Sequence, residues 1–203
     1  MSSTAWESRV AEIADQLVGF VLERRPTLGS TRLVCVDGRA GSGKTTLGQA
    51  LVAAAAPHCT TRLLHMDDMY AGWSGLGAVS GAVKDDLIDP LLDDLPGRYR
   101  RYDWHRERFV EWCTVEPVDV LVLEGVGSGG LSYARQVTTL VWVEAPRELR
   151  LARGVERDGV AQLPHWLAWM DDEEALFARE DTSTRADVTV DGTGADTAGM
   201  HVR

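Results

Sequence analysis

The sequence has no asparagine at all and only two lysines, Lys44 and Lys84, against nineteen arginines. Chemistry that needs an Asn side chain is excluded. The arginine bias fits a GC-rich genome that writes Arg by default, so a retained lysine draws attention. Cysteine is also scarce: Cys35, Cys59 and Cys113 are odd in number, widely spaced and form no C-x-x-C pair. A disulfide framework or structural zinc site is therefore not expected, and a reduced cytoplasmic setting is. No apolar run approaches the roughly 20 residues that span a bilayer. The opening MSSTAWESRV lacks a basic region followed by an apolar one, so it does not read as a signal peptide. Basic residues are outnumbered 31 to 21, giving a net charge of −10. Such a chain is ill suited to hold nucleic acid or an anionic membrane over a broad face; neither is an expected partner. A local basic pocket remains compatible.

What is present is the composition of one ordinary globular domain: 203 residues, 44% apolar and 26% charged. Trp6, Val10, Ile13, Leu17, Phe20 and Val21 recur at helical spacing, which predicts an N-terminal helix over 5–25, ending before Pro26. Leu33-Val34-Cys35-Val36 is a short continuous apolar run, as in a strand buried on both faces. Similar runs follow at 61–66, 118–123, 138–143 and 188–190. Between them lie expected helices at about 45–56, 84–93, 146–157 and 164–180; Pro146 and Pro164 open the last two, where proline is favoured. Residues 98–112, rich in Arg and aromatics, carry no clear period, and 192–203 reads as frayed. Strands alternating with helices predict an α/β fold with a five-stranded parallel sheet covered on both faces.

One motif carries chemistry. Gly38-Arg39-Ala40-Gly41-Ser42-Gly43-Lys44-Thr45 fits G-x-x-x-x-G-K-[ST]. Glycines let backbone N–H groups turn toward phosphate oxygens. The helix that follows directs its positive end at the same anion. Lys44 would reach the β- and γ-phosphates, and the Thr45 hydroxyl would ligate Mg²⁺. The pattern arises by chance in roughly one chain in a hundred or fewer. Here it also has the strand before and the helix after that the motif requires. Residues 38–46, through Thr46, are thus expected to bind a nucleotide.

Two further acids end strands. Val118 to Leu123 leads into Glu124, and the second strand leads into Asp67-Asp68. In parallel α/β sheets, ligands sit outside the carboxyl ends of the strands, which would place these groups beside the phosphate loop. Glu124 there would hold Mg²⁺ or a metal-bound water. A carboxylate of the Asp pair would orient an acceptor hydroxyl and take its proton. Acids at strand ends are also common as simple solvated groups or loop caps.

Among proteins with such a loop, Ras-type GTPases need an [NT]-K-x-D motif that this chain lacks. The ABC signature L-S-G-G-Q is also missing, and AAA+ motors are longer. Size favours a kinase of small molecules. The chain resembles the uridine kinase and phosphoribulokinase family of P-loop kinases over about 31–158. The resemblance rests on the phosphate loop, Asp67-Asp68-Met69-Tyr70, Tyr102-Asp103-Trp104, Leu123-Glu124-Gly125 and an Arg-rich stretch from Arg147 to Asp158. It implies a single P-loop kinase domain, a three-layer sandwich with a core at 31–145, a helical lid at about 146–160 and a C-terminal helix and strand at 163–191. ATP and Mg²⁺ are the implied cofactors. Asp67 would be the general base and would join Thr45 and Glu124 around Mg²⁺. Asp68, Tyr70, Tyr102, Asp103 and Arg150 would contact the acceptor, and Lys44, Arg153 and Arg157 would neutralise the transferring phosphoryl group.

The chain departs from the family pattern in Met69, where the family has Phe, and in a short 67–124 stretch. The segment Pro164 to Trp169 followed by Glu173-Glu174 has no family counterpart; its tryptophans read as core or lid packing. The acceptor expected is a nucleoside such as uridine or cytidine. Pantothenate, a sugar or an amino alcohol is the alternative, and a nucleotide-binding regulator with slow ATP hydrolysis is another.

Overall fold

The computed structural model describes residues 3–195 and 199–203. Helix α1 (Ser3–Glu23) leads into strand β1 (Arg32–Asp37), the phosphate loop and helix α2 (Lys44–Ala55). Strand β2 (Thr61–His65) runs into two short 3₁₀ turns, Met66–Asp68 and Gly72–Gly77. A bent helical segment follows: α3 (Val79–Ala82), a π-type turn (Val83–Ile88) and α4 (Asp89–Leu92). Its wide turn suits Pro90, which has no N–H to give the carbonyl four residues back. Strands β3 (Gly97–Asp103) and β4 (Arg108–Val115) form an antiparallel hairpin. Then come β5 (Val120–Glu124), β6 (Val137–Glu144), α5 (Arg147–Asp158), α6 (Leu163–Glu180), α7 (Thr182–Arg185), β7 (Val188–Asp191) and β8 (Met200–Val202).

The central sheet has the order β2-β5-β1-β6-β7-β8. Its first five strands are parallel, as expected. The sixth is a correction to the sequence reading: 200–202 pairs antiparallel with β7 instead of fraying. Three residues cannot show a period, so nothing in that segment marked it as a strand. The hairpin shows no clean alternation either: apart from Gly97 and Val115 at its ends, its residues are exposed or half-buried.

Side chains alternate along each strand, and the alternation sorts the core into two layers. Val34, Val36, Val120, Val122, Val141, Val143, Val188 and Val190 meet Leu17 and Val21 of α1 and Leu47 and Leu51 of α2. Leu33, Cys35, Leu121, Leu123, Leu140 and Trp142 face the other way, toward Val83, Leu87 and Leu91 and toward Trp169, Leu176 and Phe177 of α6. Helix α5 is different: its buried residues are Arg150 and Gly154, so it carries no buried stripe of large apolar side chains. Among the described residues, no helix is long and apolar enough to cross a membrane.

Candidate active site

The chain enters β2 on one side of β1 and leaves β5 for β6 on the other, so strand order reverses at β1 and opens a crevice at its carboxyl end. The phosphate loop lies there. Gly38 has φ 142°, and a Cβ on it would lie against the Val143 carbonyl. Gly41 has φ 79°, and a Cβ there would come within 2.5 Å of the Arg150 carbonyl oxygen. Both positions therefore demand glycine, for conformation and for space.

Lys44 is buried, and its Nζ donates to the Arg39 carbonyl at 2.9 Å. Burial lowers its pKa, while Glu124, Glu173, Asp37 and Asp67 pull it the other way. Thr45 Oγ1 donates to Glu124 Oε1 at 3.1 Å. His65, paired in register with Glu124 across β2 and β5, brings Nδ1 within 2.5 Å of the same oxygen. Its pKa is raised, chiefly by that contact. Asp67 is exposed to solvent, yet ringed by enough protein that burial raises its carboxyl, helped by Glu124 and opposed by Lys44, Arg157 and His65. Asp68, half-buried, is raised by burial as well. Thus Lys44, Thr45, Asp67 and Glu124 come together, with His65 added to them. His65 was legible only as a strand-end residue; its role needs the register with β5.

The three lid arginines separate. Arg150 is buried against Glu173, with Nη1 2.7 Å from Oε1, and its Nε donates to the Ala145 carbonyl. Arg153 donates to the carbonyls of Gly41 and Gly192. Both thus serve the backbone around the phosphate loop. Arg157 alone is exposed within the field of Asp67 and Glu124, and it is held by a two-pronged contact to Asp158.

The predicted acceptor residues also divide. Tyr70 is buried, donates to the Val126 carbonyl at 2.6 Å and meets Trp169 edge-on. Asp103 accepts the backbone N–H groups of His105 and Arg106 and so caps the hairpin turn. The Tyr70 hydroxyl is thus spent on a distant backbone carbonyl, and Asp103 Oδ1 on the turn beside it, with Oδ2 3.6 Å from Arg106 Nε. Tyr102 remains half-exposed, stacked edge-on with Trp104. Trp104 Nε1 donates to the Asp67 carbonyl at 2.8 Å. Trp73 joins Trp104, His165, Trp166 and Trp169 into one aromatic wall.

Trp166 packs so closely on α5 that a Cβ on Gly154 would lie among its ring atoms. Its Nε1 is also tied to Asp158. Gly154→Ala gains helix propensity of about 1 kcal/mol but must displace a buried, bonded indole. We expect a net loss of about 1–3 kcal/mol, read as a Tm lower by several degrees.

Sequence reasoning missed Asp37. It ends β1 with no exposure, and its carboxylate accepts the N–H groups of Gly38, Gly127 and Gly129 at 2.7–2.9 Å. Burial pushes its pKa up to about 6. It ties the phosphate loop to the loop after Glu124; an acid closing an apolar run was the available signal.

No protein-family model matches the chain. It is 28% identical over 141 residues to the uridine kinase of Ureaplasma urealyticum, covering 62% of this chain and 68% of that protein. It is 30% identical over 140 residues to the uridine kinase of Latilactobacillus sakei, covering 62% and 66%. A protein from Bacillus stearothermophilus described as a possible uridine kinase shares the fold with TM-score 0.66 at 21% identity, over 90% of this chain and 97% of that one. D-glycerate 3-kinase from Cryptococcus neoformans shares it with TM-score 0.57 at 14% identity, over 94% and 99%. Sheet order, phosphate loop and these relatives together define the class: the chain is a P-loop kinase of small molecules. Within that class the relatives it is similar to are uridine kinases.

Proposed function

We propose that the protein transfers the γ-phosphoryl group of ATP to a hydroxyl of a nucleoside, uridine or cytidine, with Mg²⁺. The observation that carries this reading is the placement of Asp67 between the phosphate loop and the aromatic wall, its own carbonyl bonded to Trp104. A hydroxyl presented by a flat acceptor resting on that wall would meet the Asp67 carboxylate, which would orient it and take its proton. Lys44 would bind the β- and γ-phosphate oxygens, and Arg157 would balance charge on the transferring group. Arg153 would act through the loop backbone it holds.

Thr45, Glu124 and Asp67 form an all-oxygen donor set of the kind Mg²⁺ takes, with the Thr45 hydroxyl and Glu124 already adjacent. These residues would hold the metal, which when bound would supply positive charge to the phosphate chain. Beside the loop, a cleft of about 570 Å³ is lined by Arg39, Pro146, Arg147, Asp191 and Thr193 among others. It is large enough for the base and ribose of the donor.

The reading is tested by screening nucleosides, pantothenate, sugars and amino alcohols for stimulated ADP release. Uridine or cytidine should stimulate turnover most. Stimulation by another acceptor alone would reassign the substrate, and ATP hydrolysis indifferent to every acceptor would favour a regulator. Metal use is tested separately. Glu124→Gln keeps the shape and removes the charge, so the Mg²⁺ concentration for half activity should rise roughly tenfold or more. An unchanged Mg²⁺ titration would make Glu124 structural, as the partner of His65 and Thr45.

A further inference from the structure

Glu173 has no solvent exposure, and it lies outside the set of residues assigned to the reaction above. Its Oε2 accepts the Ala40 N–H at 2.7 Å, and its Oε1 accepts Arg150 Nη1 at 2.7 Å. The same Arg150 nitrogen donates to the Ala40 carbonyl at 3.2 Å. Ala40 is thus held at both its N–H and its C=O by two side chains that also bind each other. The neighbouring positions are fixed too. Arg39 Nε pairs with Glu174 at 2.9 Å, and the Arg150 backbone fills the space where Gly41 would carry a side chain. Two consecutive carboxylates of α6 therefore grip two consecutive residues of the phosphate loop.

A loop that binds phosphate through several convergent N–H groups must keep those groups aimed inward. If it is disordered before binding, part of the ligand's binding energy is consumed in ordering it. A buried ion pair is a poor means of gaining stability alone, since apolar residues of similar volume serve as well or better. Its two ends here lie on α5 and α6, and its target is the loop itself. One turn before Glu173, Trp169 packs on the buried Tyr70 and on Trp73 of the aromatic wall. A single helix thereby contacts both the donor loop and the wall.

We infer that Glu173 is a positioning residue for nucleotide binding: with Arg150 it holds the phosphate loop at Ala40 in its ligand-ready shape and fastens α5 to it. The inference rests on the reading of the loop as the nucleotide site, and its test uses no acceptor. Removing Glu173 alone would strand the Arg150 charge, so paired substitutions are needed. Arg150→Met with Glu173→Gln removes the charges but keeps a carbonyl acceptor for the Ala40 N–H. Arg150→Met with Glu173→Met removes the charges and the acceptor. Both are titrated with Mg·ADP by calorimetry, well below their Tm.

Both pairs lose the Arg150 contact to the Ala40 carbonyl and should bind Mg·ADP more weakly than the parent, but the Gln pair should bind roughly tenfold or more tightly than the Met pair. A Met pair that binds as tightly as the Gln pair would overturn the inference, because the Ala40 contact would then be packing only. A Gln pair as weak as the Met pair would overturn it as well, by showing that an acceptor at position 173 for the Ala40 N–H does not hold the loop. A parent protein that does not bind Mg·ADP would overturn the nucleotide reading and this inference with it. Acceptor screening affects neither outcome.

Discussion

Asp67→Asn should lower acceptor phosphorylation by about 10²–10⁴-fold, the usual contribution of general-base catalysis, while Mg·ADP still binds. The substitution keeps size and removes the charged base. The main chain at this position is fixed independently of the side chain, through the bond from Trp104 to the Asp67 carbonyl. The loss should therefore fall on the proton transfer rather than on the shape of the crevice. Because Asp67 also faces Lys44 and Glu124, affinity for Mg·ATP is expected to shift by a few-fold, and binding and turnover are to be measured separately. Normal acceptor-dependent turnover in this variant would remove Asp67 from the base role. Asp68 would then be the next candidate, since Asp103 is engaged by the hairpin turn through Oδ1 and faces Arg106 through Oδ2.

The second large effect is expected at Lys44. Removing a preorganised cation from a developing phosphoryl charge costs about 3 kcal/mol or more, roughly a hundredfold in rate. Lys44→Met keeps much of the volume of the buried stem and should match Lys44→Ala in activity. The two should differ in stability, because Lys44→Ala also leaves a cavity. Neither is expected to unfold the protein: the ammonium loses hydration on burial, and this offsets part of what it gains from the surrounding acids. Steady-state turnover together with thermal denaturation of both variants checks this. Near-parental turnover in either would show that the loop does not hold the phosphates through Lys44.

Much of the site was legible because it is local. The phosphate loop is one contiguous segment whose glycines and lysine have fixed spacing, and Glu124 and Asp67 follow apolar runs whose direction in a parallel sheet is forced. Those facts place all three at one end of the sheet before any coordinates are known. The lid arginines show where such reasoning stops. Helical spacing puts Arg150, Arg153 and Arg157 on nearly one face, and spacing alone makes them equivalent. Only packing separates them, by laying the Arg150 backbone against Gly41 and offering its side chain a fully buried carboxylate. The bonding of Tyr70 and Asp103 was hidden for a related reason. A motif letter tells which groups a residue has, and their partners 56 residues away at Val126 or two residues on at His105 depend on the folded chain.

The sequence by itself determined the alternation of five buried parallel strands with helices, the phosphate loop at the end of the first, and the two acids that flank it. These follow from periodicity and from the handed connections of parallel strands, which act over tens of residues and leave few arrangements. Tertiary structure decided the sixth strand, the 97–115 hairpin, the register that sets His65 against Glu124 and the contact of Glu173 with Ala40. Each of these joins segments with no local pattern in common. A hydrogen bond across 133 residues is available only after the two core layers have fixed where α6 lies.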